Sequence, residues 1–206
     1  MNLSPKAVFL RLLAGLAACL AFALPASATT VLPLYLDEIV SHAAVAFQGT
    51  CTENRSERDS ATGFIVTYTT FKVSDALKGE VGSTYTIKQI GGELPGEDLR
   101  YKVDGVPHFT VGQDYVVFLP RASAAGFASP VGLEQGRFAV TQGEAGAQVS
   151  NGRDFRDMTS RIPADQLPAA QQAKVASDAP VRQMGLSDFK QLIRNRIAAA
   201  PVGVDR

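Results

Sequence analysis

Residues 64–77 restrict the possible folds of this chain more strongly than any other stretch. They are rich in Ile, Val, Thr, Tyr and Phe, the residues that fit the half-buried surface of a β-sheet. Ile65, Phe71 and Val73 fall on one face of an extended strand, together with Thr67 and Thr69. A strand of this length can be bent by a bulge and shared between two halves of a barrel. The stretch therefore predicts a mainly β fold built on a long, curved strand.

Shorter segments on both sides predict one helix and several further strands. Residues 34–42 place their apolar side chains at helical spacing and predict a short helix. The polar residues 52–62 predict a loop. Residues 115–119 form a continuous apolar run, which is typical of a strand that is buried on both faces. Other strands are predicted at residues 44–51, 83–90, 129–133, 137–141 and 148–149.

The amino terminus has the layout of a secretory signal peptide. Lys6 and Arg11 precede an apolar run at residues 12–24, and the small residues Ala26 and Ala28 fit the cleavage rule. We expect cleavage after Ala28 and a mature protein in the periplasm or outside the cell. Because the apolar run is shorter than the roughly 20 residues that a membrane-spanning helix needs, we expect no transmembrane segment after cleavage.

A second processing route is an alternative. Residues 16–19 (LAAC) resemble the lipobox at which bacterial lipoproteins are cut and lipidated on cysteine, here Cys19. The protein would then be a lipid-anchored envelope accessory. Residues 20–24 continue the apolar run up to a good conventional cleavage site, which favours cleavage after Ala28.

Charge and cysteine content exclude some classes of function and fold. The whole chain has a formal net charge of +0, and removing residues 1–28 takes away two basic residues and no acidic one. No broad basic field is available to hold nucleic acid, so we expect no nucleic-acid partner. Cleavage would leave Cys51 as the sole cysteine. The fold must then rest on hydrophobic burial and not on a disulfide scaffold.

The carboxy-terminal quarter of the chain changes in composition. Residues 152–184 are rich in Ala, Gln, Asp and Arg, contain three prolines and show little periodicity, so they predict a poorly ordered linker. Residues 185–200 carry an apolar stripe that predicts an amphipathic helix. The predicted organisation is a signal peptide at 1–28, a β-barrel domain at 29–151, the linker at 152–184 and the helix at 185–200.

The order of short motifs in the first half of the chain resembles that of a known family. The motifs stand at residues 44–50 (AVAFQGT), 71–73 (FKV), 77–79 (LKG) and 111–118 (VGQDYVVF). Over residues 43–120 this order is similar to netrin-like domains, the OB-type barrels of tissue inhibitors of metalloproteinases, and to exported bacterial proteins on the same skeleton. The resemblance implies an OB-like antiparallel β-barrel with a short amino-terminal helix and a carboxy-terminal amphipathic helix.

The sequence departs from that family at the residues that inhibit metalloproteinases. Those inhibitors chelate the zinc of their target with an amino-terminal cysteine and rely on several disulfides. Here the expected mature terminus is Thr29, and only Cys51 remains. The inhibitory residues of the family therefore have no counterpart in this chain.

The most promising binding region is a long loop rich in glycine, proline and charge at residues 91–110. Loops of this length between well-patterned strands are commonly functional. Its acidic residues could bind Ca²⁺, but they lack the spacing of an EF-hand, and a solvated acidic loop is the favoured interpretation. The candidate binding residues are Glu93, Glu97, Asp98, Tyr101 and His108.

No catalytic or metal-binding set stands out elsewhere. Cys51 could be a nucleophile, yet it shares a predicted strand face with Val45 and Phe47, which favours burial. Neither His42 nor His108 has a second ligand at close spacing, so we expect no metal and no cofactor. The leading hypothesis is a non-catalytic module that binds a protein, peptide or glycan. The rival is an enzyme in which Cys51 and His108 meet only in the fold.

Overall fold

A computed structural model describes residues 32–94, 96–97, 99–144, 146–175 and 179–199. The predicted signal peptide at 1–28, with Cys19, lies outside the described residues, as does Asp98. Within the described ranges, no helix is both long enough and apolar enough to cross a membrane.

The described part of the chain is mainly β, as the sequence predicts. Its strands are β1 (Val45–Arg58), β2 (Ile65–Lys78), β3 (Thr84–Ile90), β4 (Gly92–Glu93), β5 (Arg100–Tyr101), β6 (Asp114–Leu119), β7 (Arg137–Gly143), β8 (Gly146–Ser150) and β9 (Met184–Gly185). Its α-helices are α1 (Leu36–His42), α2 (Phe155–Thr159), α3 (Ala169–Val175) and α4 (Leu186–Ala199). Short 3-10 helices lie at Leu133–Gly136 and Ala164–Gln166.

A seven-stranded antiparallel sheet organises the molecule. Its strand order is β3-β2-β1-β6-β7-β8-β9, and β4 and β5 form a separate two-stranded ribbon. Among the described residues the strand pairing does not join β3 to β9, so the closed OB-like barrel stays a prediction. The β1–β2 register shifts at three places between Ala46 and Glu53. Such shifts bend paired strands, which is how a strand of this length curves.

The sheet buries apolar side chains on both faces. On one face, Phe118 and Phe138 pack with Phe155 of α2 and Phe189 of α4, and we call this cluster the helix-side core. The opposite face holds what we call the strand-side core, whose members are Phe47, Cys51, Phe71, Ile87, Phe109, Tyr115, Val117 and Leu119. Because successive side chains of a strand point to opposite faces, β6 contributes to both cores. Its predicted burial on both faces is confirmed.

The first strand is longer than the sequence predicts. Residues 52–62 are expected to form a loop, whereas β1 continues to Arg58, which pairs with Ile65. The side chains of residues 52–55 are exposed, while their backbone lies in the ladder with β2. Pairing with the strongly β-forming partner overrides the polar composition of this stretch. Only the tight turn remains, in which Asp59 Oδ2 accepts a hydrogen bond from Thr62 Oγ1 at 2.6 Å.

Residues 152–184 also differ from the predicted linker. Their described part forms α2, α3 and β9, and Phe155 and Met158 are fully buried in the helix-side core. The sequence signal of this segment is short, because α2 has only five residues and buries Phe155, Met158 and Thr159, while β9 buries only Met184. Residues 129–133 likewise form no strand, and a 3-10 helix begins at Leu133 instead.

The predicted carboxy-terminal helix is present as α4. Phe189, Leu192 and Ile193 are buried in the helix-side core. On its other side, Lys190 Nζ and Arg194 Nη2 each lie 2.8 Å from a carboxylate oxygen of Asp75 on β2. The basic residues of α4 therefore help to fix the helix on the sheet.

Candidate functional site

A cleft of about 440 Å³ lies between strands β1 to β3 and the segment at residues 90–109. Its volume is within the range of about 300–1,000 Å³ that is typical of small-molecule sites. The lining residues are Asn54, Ser56, Thr67, Thr69, Gln89, Ile90, Gly91, Gly92, Glu93, Arg100, Tyr101, Lys102, Val106, Pro107, His108 and Phe109.

Small polar side chains form the floor of the cleft. Ser56 of β1, Thr67 of β2 and Gln89 of β3 lie opposite one another in the sheet. Two residues further along β1 and β2, Asn54 pairs with Thr69. Alternate residues of a strand share a face, so the floor continues the face that carries Phe71 and Ile87 of the strand-side core. The same sheet surface thus changes from apolar to polar along the strands.

Hydrogen bonds among these residues fix their orientation. Thr69 Oγ1 donates to Asn54 Oδ1 at 2.7 Å, and Asn54 Nδ2 donates to the carbonyl of Phe109 at 2.7 Å. Thr67 Oγ1 donates to the carbonyl of Gly91 at 2.7 Å. Since a hydroxyl has one proton, the 2.9 Å contact between Ser56 Oγ and Thr67 Oγ1 must use the Ser56 proton.

This network leaves some hydrogen-bond donors and acceptors of the floor available to a ligand. Ser56 Oγ and Thr69 Oγ1 keep lone pairs that can accept hydrogen bonds. One N–H of the Asn54 carboxamide has no partner among the described residues. The floor therefore offers both donors and acceptors within a few side chains of each other.

Gln89 is the floor residue whose environment is least satisfied. Its side chain is only 4% exposed, and its Nε2 is buried without a hydrogen-bond partner in the described part of the chain. A buried donor left in this state costs about 1–3 kcal/mol. Gln89 is among the residues that line the cleft, and an acceptor oxygen that reached its carboxamide would satisfy the Nε2 donor.

Two consecutive glycines bring the opposite wall over this floor. Gly91 has φ +97° and Gly92 has φ +149°, values that only glycine adopts without strain. A Cβ on Gly92 would lie 2.5 Å from Thr67 Oγ1 and 2.6 Å from Ser56 Oγ. The backbone therefore crosses directly above the floor and continues into the β4–β5 ribbon as the outer wall.

Charged and aromatic side chains make up the rim. Arg100 Nη2 lies 2.7 Å from Glu93 Oε2, but both side chains are more than 60% exposed and the ion pair contributes little to stability. Tyr101 is 43% exposed and borders the opening. Lys102 and His108 add basic groups to the same rim.

Three of the five predicted binding residues come together at the cleft. Glu93, Tyr101 and His108 line it, Glu97 is not among its lining residues, and Asp98 lies outside the described residues. The floor could not be predicted from the sequence, because Asn54 and Ser56 lie in a stretch that is predicted to be a loop. Thr67 and Thr69 carried the available signal, since they interrupt an otherwise apolar strand face.

Cys51 has the environment of a structural residue. Its side chain is fully buried, as the sequence predicts, and burial raises the pKa of the thiol. Since the thiolate is the reactive form of cysteine, this environment disfavours a nucleophile. His108 lines the cleft, whereas Cys51 belongs to the strand-side core and is not among the lining residues.

Metal-ligating side chains do not gather at this site. Over the described ranges, no group of three or more His, Cys, Asp or Glu residues is placed to hold a metal ion. Glu93, one of the candidate Ca²⁺ ligands, pairs with Arg100 instead.

The cleft must be interpreted from its own chemistry. Comparisons of this chain with protein-family models, with curated proteins and with solved structures found no match.

Proposed function

We propose that this chain is an exported, non-catalytic binding module whose protein, peptide or glycan ligand enters the cleft between β1–β3 and the β4–β5 ribbon. The observation that carries the proposal is the buried, unpartnered Nε2 of Gln89 on the floor of a cavity of ligand-binding size. A ligand oxygen would supply the missing acceptor.

The chemistry of the floor supports binding over catalysis. Its polar groups are hydroxyls and carboxamides, which exchange hydrogen bonds but do not gain or lose protons near neutral pH. The titratable side chains of the cleft, Glu93, Arg100, Lys102 and His108, lie on the exposed rim. Neutral groups held in a fixed network are suited to positioning a ligand.

The exported, netrin-like character of the module is part of the same proposal. Residues 1–28 support export through their charge and apolar layout. The OB-like barrel is supported by two backbone hydrogen bonds in the segment after β6. Ala128 N donates to the carbonyl of Lys88 on β3 at 3.0 Å, and Val131 N donates to the carbonyl of Phe118 on β6 at 2.8 Å. This segment thereby connects the outer edge of β3 with β6.

Nuclear magnetic resonance tests the proposed site. The ¹⁵N-labelled protein would be titrated with defined oligosaccharides and, separately, with short unstructured peptides. We expect shifts to cluster at Asn54, Thr69 and Gln89, and Tyr101→Ala to weaken binding about tenfold. Phe64→Ala, which removes an exposed side chain outside the cleft lining, is the matched control. Shifts confined to other surfaces, or none from any probe, would contradict the proposal.

A further inference from the structure

We infer that the ligand of this cleft is a glycan, bound through a sugar residue whose hydroxyl groups hydrogen-bond to Asn54, Thr69 and Gln89. The inference rests on the proposed binding function and narrows it to one class of ligand.

The mixture of donors and acceptors on the floor is the first argument. Gln89 Nε2 and the second N–H of Asn54 are donors, whereas Ser56 Oγ and Thr69 Oγ1 are left as acceptors. A sugar hydroxyl both donates and accepts, so adjacent hydroxyls on one ring can match both kinds of group. A carboxylate or phosphate only accepts and would leave the floor acceptors unmatched.

The pairing of β2 on both sides is the second observation that favours a sugar. Thr67 and Thr69 belong to β2, which is paired with β1 on one side and β3 on the other. A peptide that binds by adding a strand requires an unpaired sheet edge, and the middle of the floor offers a face of side chains instead. Recognition by Thr67 and Thr69 must therefore proceed through side-chain hydrogen bonds, the kind of contact that a sugar makes.

The opposite wall supplies the apolar partner that a sugar ring needs. Tyr101, Val106 and Pro107 line this side of the cleft. Sugar rings have polar edges and a face of C–H groups, and aromatic side chains present an apolar body to such a face. A ring that stands between Tyr101 and the floor can use both surfaces at once.

A glycan array followed by calorimetric titration tests the inference. The exported protein would be applied to an array of neutral hexose, N-acetylhexosamine and uronic acid oligosaccharides, and the strongest binder titrated against variants. Gln89→Leu keeps the approximate size of the side chain without its donors, and Thr69→Val removes both the acceptor and the hydrogen bond that orients Asn54. We expect each to weaken binding about tenfold, the cost of one hydrogen bond.

The matched control is Thr70→Val. Thr70 neighbours Thr69 in the chain but is not among the residues that line the cleft, and its hydroxyl contacts Thr86. We expect the affinity of Thr70→Val for the sugar to stay within about twofold of that of the parent protein, because no floor group changes. The unfolding midpoint of Gln89→Leu is expected to equal or exceed that of the parent, since the unpartnered donor is gone. Loss of affinity in this variant would then not reflect loss of the fold.

The outcomes separate this inference from the proposed function. Sugar binding that is insensitive to Gln89→Leu would overturn the inference, as would an array on which no sugar binds. If peptides but no sugars perturb Asn54 and Gln89, the cleft is a binding site and only the glycan assignment fails. If neither class perturbs the cleft, both the assignment and the proposed function fail.

Discussion

The backbone at Gly92 passes directly over the hydroxyl groups of Ser56 and Thr67. The position of a missing Cβ, 2.5 Å from Thr67 Oγ1, shows how little space separates the ribbon from the floor. Gly92 and Gln89 therefore have complementary roles at the scale of single residues. Gly92 sets the separation of the walls, and Gln89 supplies the hydrogen-bonding capacity between them.

Gly92→Ala is expected to lower the free energy of unfolding by about 3 kcal/mol, because it adds both backbone strain and a steric clash. Urea denaturation provides the measurement. Gly112 is a matched control, since its φ is +86° and a Cβ there would meet no atom within 4 Å. Gly112→Ala should cost only about 1 kcal/mol. Equal costs for the two variants would show that the close approach at Gly92 is not maintained in solution.

Cys51 should be protected from thiol reagents in the folded protein. Because its side chain is fully buried and its thiol pKa is raised, we expect labelling at least about a hundredfold slower than in denaturant. Mass mapping of the modified peptide provides the measurement. Thr52→Cys, at an exposed neighbouring position, should label rapidly in the folded chain. Similar rates at the two positions would argue against the strand-side core.

At the scale of elements, Asp154 ties the start of α2 to the chain that precedes β9. It is the N-cap of α2, and its Oδ1 accepts hydrogen bonds from the backbone N–H groups of Arg156 and Val181 at 3.0 Å. The Arg156 side chain pairs with the same carboxylate at 2.7 Å. Hydrogen bonding with Arg156 is the main reason that the pKa of Asp154 is lowered from 3.8 to about 2. One side chain thus joins two points that are far apart in the segment at 152–184.

The effect of Asp154 should depend on pH in a defined direction. Since folding lowers its pKa, the stabilising effect of its charge is complete above about pH 4 and is lost as the pH falls toward about 2. We expect Asp154→Ala to lower the free energy of unfolding at pH 7 by about 1–2 kcal/mol through loss of the cap. Thermal unfolding followed between pH 7 and pH 2 provides the measurement.

Asp154→Asn separates the charge from the cap. Asn is also a good N-cap residue, so this variant should keep more stability at pH 7 than Asp154→Ala. Its stability difference from the parent should shrink as the pH falls toward 2, because the parent carboxylate becomes protonated. A difference that stays constant over this range would mean that the charge of Asp154 has no stabilising role.

Elements with a continuous signal could be predicted from the sequence, and elements that depend on a partner could not. The amphipathic stripe of α4 and the apolar run of β6 lie within single windows of the chain, and both are found in the structure. The outer half of β1 is polar and becomes a strand only because β2 pairs with it. The same holds for the cleft. Its rim lies in a loop whose composition could be recognised in the sequence, whereas its floor forms only when Asn54, Thr69 and Gln89 align across three strands.

At the scale of the whole molecule, a single sheet separates two apolar cores. Phe71 lies in the strand-side core and Phe189 in the helix-side core, and β6 contributes side chains to both. Loss of packing on either face therefore affects the same strands. We expect the described domain to unfold as one cooperative unit.

Phe71→Ala and Phe189→Ala test this cooperativity. Each removes a fully buried ring and is expected to lower the free energy of unfolding by about 3–5 kcal/mol. Because the chain has no tryptophan, far-ultraviolet circular dichroism and tyrosine fluorescence are suitable probes, and their transitions should coincide in each variant. Phe64→Ala, whose ring is 51% exposed, should change stability by only about 0.5 kcal/mol. Separate transitions for the two core variants would indicate independently folding halves.

The crossing at Gly91 and Gly92 divides the cleft into a part that the fold requires and a part that it does not. The floor stands on strands β1 to β3, whereas no described residue from 92 to 108 is a member of either apolar core. We therefore expect that the ribbon beyond Gly92 can be exchanged for another of different length and side chains while the sheet is retained. Such a graft would redirect the preference of the module toward new ligands, in the way that hypervariable loops diversify a constant scaffold.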